Sequence, residues 1–349
     1  MAKPYPTRKL GQNGPSVSVI GFGAGGISGA IYGKAEKSET FETLSYAADR
    51  GLSFWDTADV YGASEEIIGE WFMKTGRRSE IFLATKFGAA DLRQTANGHA
   101  GPGTVCSEPS YIKQALQRSL KMLQTDHIDL YYQHRVDPAV PIEIVLEALR
   151  PFVESGQVKW LGLSECSSAT LRRARAVPGV GEKVVAVQSE YSPFELSLET
   201  TGILDTAKEL GVAVVAYSPL GRGLITGRYQ SPDDFEVGDM RRRLPRFSSE
   251  NFPKNLALAN HFAALGAKYD ASASQIALAW ILTQHPNIIP IPGTKVVARL
   301  EENAHSAEIT LLPEDVKAIR KLVEEADVHG ARNVNVSDGD CIEMSEWKD

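Results

Sequence analysis

LSFWDTADVYGASEEIIGEWFMKTGRRSEIFLATKFG (52–88) reads as strand, helix, strand. LSFWDTA and IFLATKFG are short, apolar and rich in aromatic and β-branched residues. ASEEIIGEWFMKTG between them carries its apolar residues at helical spacing and closes on a glycine. The same alternation extends outward in both directions. SVSVIGFG, IDLYYQH, VKWLGLSE, VVAVQSEY, VAVVAYSP and IIPIPG add six strand-like runs, separated by helical patterns such as SETFETLSYAADRG, SYIKQALQRSLKML, IEIVLEALRPFVES, ATLRRARAV and LETTGILDTAKELG. Alternating βα units imply a parallel sheet. Eight of them predict a closed (β/α)8 barrel, an α/β fold that takes in residues 1–349 as one domain.

Composition narrows the function classes. The formal net charge of −7 argues against a nucleic-acid partner, because no face is rich enough in Lys and Arg to neutralise a phosphate backbone. Cys106, Cys166 and Cys341 are odd in number and scattered, which fits reduced thiols rather than a disulfide frame or a zinc site. MAKPYPTRKLGQNG lacks the apolar core of a signal peptide and no run is long enough to span a bilayer, so a cytoplasmic location away from membranes is expected. Without such a signal, Asn335-Val336-Ser337 reads as a chance match to the glycosylation acceptor pattern. The seven histidines include no HExxH and no Cys/His cluster, so no metal is expected. Oligomeric state has no signature in the sequence.

Chemistry collects where the apolar runs give out: Asp56 and Tyr61 in FWDTADVYG, Lys86 in IFLATKFG and His134 in IDLYYQHRVD. A tyrosine holds its proton up to a pKa of about 10, so an acid role near neutrality needs a positive neighbour. Lys86 can be that neighbour, and a buried lysine in turn needs a carboxylate such as Asp56 to keep its charge. His134 can orient a carbonyl oxygen. Taken singly, each is more often a loop or surface residue; all four at successive strand ends point to one acid site.

With their flanks, these residues resemble the aldo-keto reductase superfamily, from PTRKLG near the start to LEENA around residue 300. GLSECS, VQSEYSPF, YSPLGRGLITG and IPGTKVVARLEEN are most similar to the fungal and plant branch of broad-specificity aldehyde reductases. The resemblance implies a TIM barrel, NADPH-dependent carbonyl reduction, and Asp56, Tyr61, Lys86 and His134 as the catalytic tetrad. It also places PTRKLGQNGPSVSV, a hairpin around Asn13-Gly14, as a cap on the barrel floor. Cofactor contacts are implied at Gly23, Ala24 and Gly25 on the first strand, at Asp56, and at Ser164, Glu165 and Gln188 for the carboxamide, with Tyr217 as the stacking ring. Ser218, Leu220, Gly221 and Gly223 follow, with the glycines permitting close backbone approach to a pyrophosphate, and then Gly293 and Thr294. That glycine pair alone is more often a plain turn.

Two departures stand out. Many relatives carry GFGCMG where this chain has GFGAGG, so Gly25 replaces a methionine and loosens the pocket mouth. Glu165 stands where better-known relatives have Asn. A carboxylate can accept from the carboxamide NH₂ but cannot donate to its oxygen, so part of that recognition shifts to Ser164 or Gln188. GFGAGG also satisfies G-x-G-x-x-G at Gly21, Gly23 and Gly26, but that fingerprint needs an acidic residue about 20 positions on to hold the ribose, and the next strand-end carboxylate is Asp56, considerably further along, which argues against a dinucleotide-binding Rossmann turn.

Lys295 and Arg299 lie four apart at the start of a helix, where cations are disfavoured unless an anion joins them. A 2′-phosphate fits there, with Glu302 and Asn303 at the adenine edge, which predicts NADPH over NADH. An ordinary solvated basic pair is the plain alternative. Two segments exceed the alternation. Residues 229–251 are expected to cover the cofactor, and the tail 327–349, after the helix TLLPEDVKAIRKLVEEA, reads equally as an active-site lid or a frayed terminus. The expected substrates are small aromatic and aliphatic aldehydes, and possible ketones, with Trp55, Phe87, Tyr132 and Tyr191 either lining the pocket or filling the core. Two other functions stay open: an NADPH-binding sensor of the potassium-channel β-subunit type, and a reductase dedicated to one natural-product carbonyl.

Overall fold

The computed structural model describes residues 5–94, 104–333 and 339–348. Asn335-Val336-Ser337 and the matching part of the tail lie outside the described residues. β1 (Thr7–Lys9) and β2 (Ser16–Ser18) pair antiparallel as the N-terminal hairpin. Eight strands then follow in chain order: β3 (Phe22–Gly23), β4 (Phe54–Asp56), β5 (Phe82–Phe87), β6 (Ile128–Gln133), β7 (Val158–Ser164), β8 (Val184–Glu190), β9 (Ala213–Tyr217) and β10 (Ile288–Pro290). Each pairs in parallel with the next, and a parallel bridge between Gly23 and Gly293 joins the last to the first. Gly21 and Gly23 donate to the carbonyls of Pro290 (2.9 Å) and Pro292 (3.1 Å), so the ring is closed by backbone hydrogen bonds and has no free edge. This is the (β/α)8 barrel.

The helices outside the ring are α1 (Lys37–Arg50), α2 (Ser64–Thr75), α3 (Pro109–Met122), α4 (Ile142–Glu154), α5 (Ser168–Ala176), α6 (Ser197–Thr200), α7 (Ile203–Glu209), α8 (Phe252–Gly266), α9 (Ala273–Gln284), α10 (Val297–His305) and α11 (Pro313–Glu324). Strands covered on both faces show little polar alternation, and every residue of β4, β6 and β8 is buried. The pleat still sorts the side chains. Phe54, Ala84, Leu130, Tyr132, Val215 and Ile289 fill the barrel interior, floored by Leu10 and Val17 of the hairpin region, while Leu83, Phe87, Tyr131 and Leu161 face the helices. Gly162 makes room inside: a Cβ there would stand 2.3 Å from the Tyr132 ring.

Two sequence expectations are refined. SVSVIGFG is one apolar run but two elements, since Ser16–Ser18 belongs to the hairpin and only Phe22–Gly23 enters the barrel. LETTGILDTAKELG breaks into α6 and α7 at Gly202, whose left-handed φ of 77° ends one turn and starts the next. Trp55, Phe87, Tyr132 and Tyr191 are fully buried and belong to the core.

The C-terminal ends of the strands carry the long connections. After β9, residues 218–251 run through short 3₁₀ turns, including Gly221–Thr226 and Met240–Arg243, before α8. This segment meets the connection after β3: Met240 N donates to the Ile31 carbonyl (3.2 Å) and Lys34 N to Glu236 Oε2 (3.0 Å). Arg241 braces it, paired with Asp239 (2.6 Å) and lying 4.3 Å from the centroid of the Phe235 ring. The tail returns to the same end. His329 and Asn255 exchange backbone–side-chain hydrogen bonds of 2.9 Å, and Gly339 accepts from Ser167 N (3.0 Å).

Candidate active site

Parallel register brings the tetrad together. Asp56 ends β4 opposite Ala84, and Lys86, two residues beyond Ala84 on the same inward face, extends its ammonium to the Asp56 carboxylate. Lys86 also donates to the Thr57 carbonyl (2.7 Å) and is fully buried, so its charge is matched by a carboxylate and a peptide dipole. Gln188 Nε2, on β8, donates to the other Asp56 oxygen at 2.8 Å. Burial pushes the Asp56 carboxyl up, while the Lys86 charge and the Lys86 and Gln188 hydrogen bonds hold it back.

Tyr61 lies on the turn after β4, with the Lys86 Nζ 5.1 Å from its ring centroid. The His134 ring stands edge-on to it, 5.7 Å between centroids at 87°. His134 follows β6, and its backbone N donates to the Phe87 carbonyl (2.7 Å). Burial, reinforced by Arg135 and Lys86, lowers the His134 pKa well below the usual 6.5, so its imidazole is neutral at pH 7. A neutral histidine beside a tyrosine offers a carbonyl oxygen two donors without adding a second cation next to Lys86.

Tyr61 and His134 open into a cavity of about 720 Å³ that runs over the barrel mouth to the start of α10. Of the residues expected at the cofactor, Gly23, Gly25, Asp56, Gln188, Tyr217, Ser218, Leu220, Gly223, Gly293, Thr294, Lys295, Arg299, Glu302 and Asn303 line it. Ala24, Ser164, Glu165 and Gly221 do not. Ala24 and Ser164 are buried, and Gly221 answers a local need, since its φ is 56° and a Cβ would meet the Phe194 ring at 2.7 Å. Lys295 Nζ caps backbone carbonyls of the connection after β3, including Gly33 at 3.2 Å. Arg299 is exposed at the cavity rim with no ion-pair partner among the described residues, and α10 begins without a side-chain cap or an acidic residue in its first turn. A basic rim over uncapped N–H groups suits a phosphate. Gln188 and Tyr217 at the other end suit an uncharged ring with an amide, so the residues present fit NADPH.

Glu165 has a different partner from the one its position suggested. Its carboxylate takes two hydrogen bonds from Arg332 in the tail, at 3.0 and 2.6 Å. Burial pushes Glu165 up, and Arg332 outweighs it, leaving the carboxyl below its ordinary range. Arg332 also lies 3.6 Å from Glu190 and donates to the Tyr217 hydroxyl (3.3 Å), while Arg222 reaches Glu190 (3.3 Å) and Asn333 (2.7 Å). Glu165, Ser218 and Arg222 all hold positive φ, of 53°, 49° and 55°. Such backbone strain in non-glycine residues clusters at working sites, and here it surrounds Tyr217. Arg332 and Asn333 bring the tail to the cavity, which sequence reading alone left undecided. Nothing in the sequence marks Arg332, because its partners are far away along the chain.

The chain belongs to the aldo/keto reductase family, whose model matches residues 19–324. The aldo-keto reductase str7 of Strobilurus tenacellus is 49% identical over 340 residues, covering 95% of this chain and 96% of that protein. The aldo-keto reductase yakc [NADP(+)] of Schizosaccharomyces pombe is 46% identical, covering 94% of each. Among solved structures, the thermostable aldo-keto reductase Tm1743 in complex with the inhibitor epalrestat aligns with a TM-score of 0.70 at 27% identity, covering 91% of this chain and 99% of that one. The protein is thus an oxidoreductase of a family that uses NADPH.

Two consequences are measurable. Because the His134 pKa is lowered on folding, the unfolded chain takes up a proton below about 6.5 that the native chain refuses. Stability is therefore lost as pH falls through that range, at up to about 1.4 kcal/mol per pH unit. Denaturant midpoints from pH 7.5 to 5.5 should fall more steeply for wild type than for His134→Gln; parallel curves would contradict it. Arg332→Ala leaves the Glu165 side chain, only 9% exposed, without its cation and should cost about 3 kcal/mol, partly restored by adding Glu165→Asn. An unchanged midpoint for the single variant would show the pair to be incidental.

Proposed function

We propose that this protein reduces aldehydes, or ketones, to alcohols, with NADPH as its cofactor and Tyr61 as the general acid. The observation that carries this reading is the buried Lys86–Asp56 pair set against the Tyr61 ring, with His134 edge-on beside it. NADPH, when bound, supplies the hydride. Tyr61 gives its proton to the carbonyl oxygen, and the adjacent ammonium favours the phenolate left behind. His134 and Tyr61 hold that oxygen and stabilise the charge it gains. Asp56 keeps Lys86 charged within the barrel, and Gln188 keeps Asp56 in place. Tyr217, whose phenol is pushed well up by burial and by Glu165 and Glu190, stays protonated and serves as a surface for the ring.

Arg299 and the open start of α10 take the 2′-phosphate, and residues 229–251 cover the cofactor, since Tyr229, Phe235 and Arg241 line the cavity from above. Gly25 sets the breadth of the substrate mouth: a Cβ there would lie 3.5 Å from the Tyr61 ring, so a longer side chain would overhang the acid. That space suits small aromatic and aliphatic aldehydes with broad tolerance. A cytoplasmic address is consistent with three free cysteines, and among the described residues no helix is long and apolar enough to cross a membrane.

The direct test follows 340 nm absorbance with NADPH and with NADH against aromatic, aliphatic, sugar and pyridoxal aldehydes. NADPH-selective turnover is expected, and cofactor binding without turnover across the panel would favour a sensor. Tyr61→Phe should lower kcat by roughly 10²–10⁴ while NADPH affinity is nearly unchanged; full activity would remove Tyr61 from the acid role. Arg299→Ala should weaken NADPH by roughly ten- to a hundredfold, the worth of hydrogen bonds to a charged group, and NADH far less. Equal weakening of both would place the 2′-phosphate elsewhere.

A further inference from the structure

Glu165 cannot donate a hydrogen bond, and its carboxylate is already held by Arg332. The Gln188 amide gives an N–H to Asp56 (2.8 Å), so its carbonyl is left to accept. A nicotinamide carboxamide needs an acceptor for its NH₂ and a donor for its oxygen. Gln188 answers the first requirement, and the residues expected at this position leave the second to the Ser164 hydroxyl alone.

Arg135, next to His134, lines the cavity at this end. Its Nη1 donates to the His134 carbonyl (2.7 Å) and to Ser164 Oγ (3.3 Å), which accounts for both hydrogens on that nitrogen. Nε and Nη2 have no partner among the described residues, and no carboxylate there lies within ion-pairing distance. The charge acts on Glu165, His134 and Tyr217, so the guanidinium stands among the groups that surround the ring site. Two anchored hydrogen bonds fix its plane while leaving other N–H groups to give.

We propose that Arg135 replaces the missing amide donor and binds the carboxamide oxygen of the nicotinamide. This rests on NADPH being the cofactor. A guanidinium donor next to Ser164 also explains how Glu165 is tolerated: donation has moved to the end of β6, and position 165 has been released to anchor the tail.

The test is a fluorescence titration of wild type, Arg135→Met and Arg135→Lys with three reduced cofactors: NADPH, its thionicotinamide analogue, in which sulfur replaces the oxygen, and its 3-acetylpyridine analogue, which keeps the oxygen but lacks the NH₂. Wild type should bind NADPH roughly ten- to a hundredfold more tightly than the thio analogue, the range for a hydrogen bond from a charged donor. Arg135→Met should bring that ratio close to one and weaken the acetylpyridine analogue as much as NADPH, while Arg135→Lys keeps part of the ratio. Equal weakening of all three by Arg135→Met would make Arg135 a structural brace and overturn the proposal. Unchanged affinities would also overturn it, and would turn Arg135 toward the substrate. Wild type that binds none of the three would refute the cofactor reading itself, a result distinct from the other two.

Discussion

A lysine ammonium with no solvent exposure, held by one carboxylate and one carbonyl, is the constraint on which the site depends. Removing a charge from water costs several kcal/mol, and the cost is recovered only where a partner of opposite charge is fixed in place. The barrel fixes it. Asp56 and Lys86 come from neighbouring parallel strands whose register is set by backbone hydrogen bonds, and Gln188 from the far side of the ring holds the remaining carboxylate oxygen. The ring closes through Gly23 and Gly293, so each strand end has a neighbour on both sides. Tyr61 and His134 then need only be carried on the turns after β4 and β6 to stand over the cation.

A second charge system lies beside the first. Glu190 ends β8 and is buried, Glu165 directly follows β7 and is half-buried, and Arg222, Arg246 and Arg332 gather around them. Arg332 arrives from the tail, so the C-terminal segment is tied to the wall that carries Tyr217. Burial raises the Glu190 carboxyl while the three guanidiniums oppose it, whereas Glu165, held by two hydrogen bonds from one arginine, is lowered. The wall that carries Tyr217 and the anchoring of the tail thus share residues.

Much of this was legible in the sequence. The strands could be read because each is a short apolar run bounded by polar or glycine punctuation, and the tetrad because its members sit where those runs stop. The break at Gly202 was hidden because LETTGILDTAKELG keeps a helical pattern across the glycine, and the division of SVSVIGFG between the expected hairpin and the barrel was hidden because a two-residue barrel strand has too little sequence to show its own period. Contacts between distant segments leave no local pattern at all. Glu165 reads as a departure from the family, but that Arg332 answers it depends on where the tail crosses the barrel mouth, and the standing of Arg135 depends on Ser164 from the next strand. Trp55, Phe87, Tyr132 and Tyr191 show the opposite failure, since aromatic residues near a tetrad look the same in sequence whether they face a cavity or the core.

The most direct measurement is the fate of deuterium placed at C4 of the reduced nicotinamide of NADPH during reduction of an aromatic aldehyde. If the tetrad sets one face of the ring against the carbonyl carbon, one of the two C4 positions alone should deliver deuterium to the carbinol carbon of the alcohol, with none lost to water. Deuterium retained on the cofactor from both positions, or washed into solvent, would contradict hydride transfer at this site.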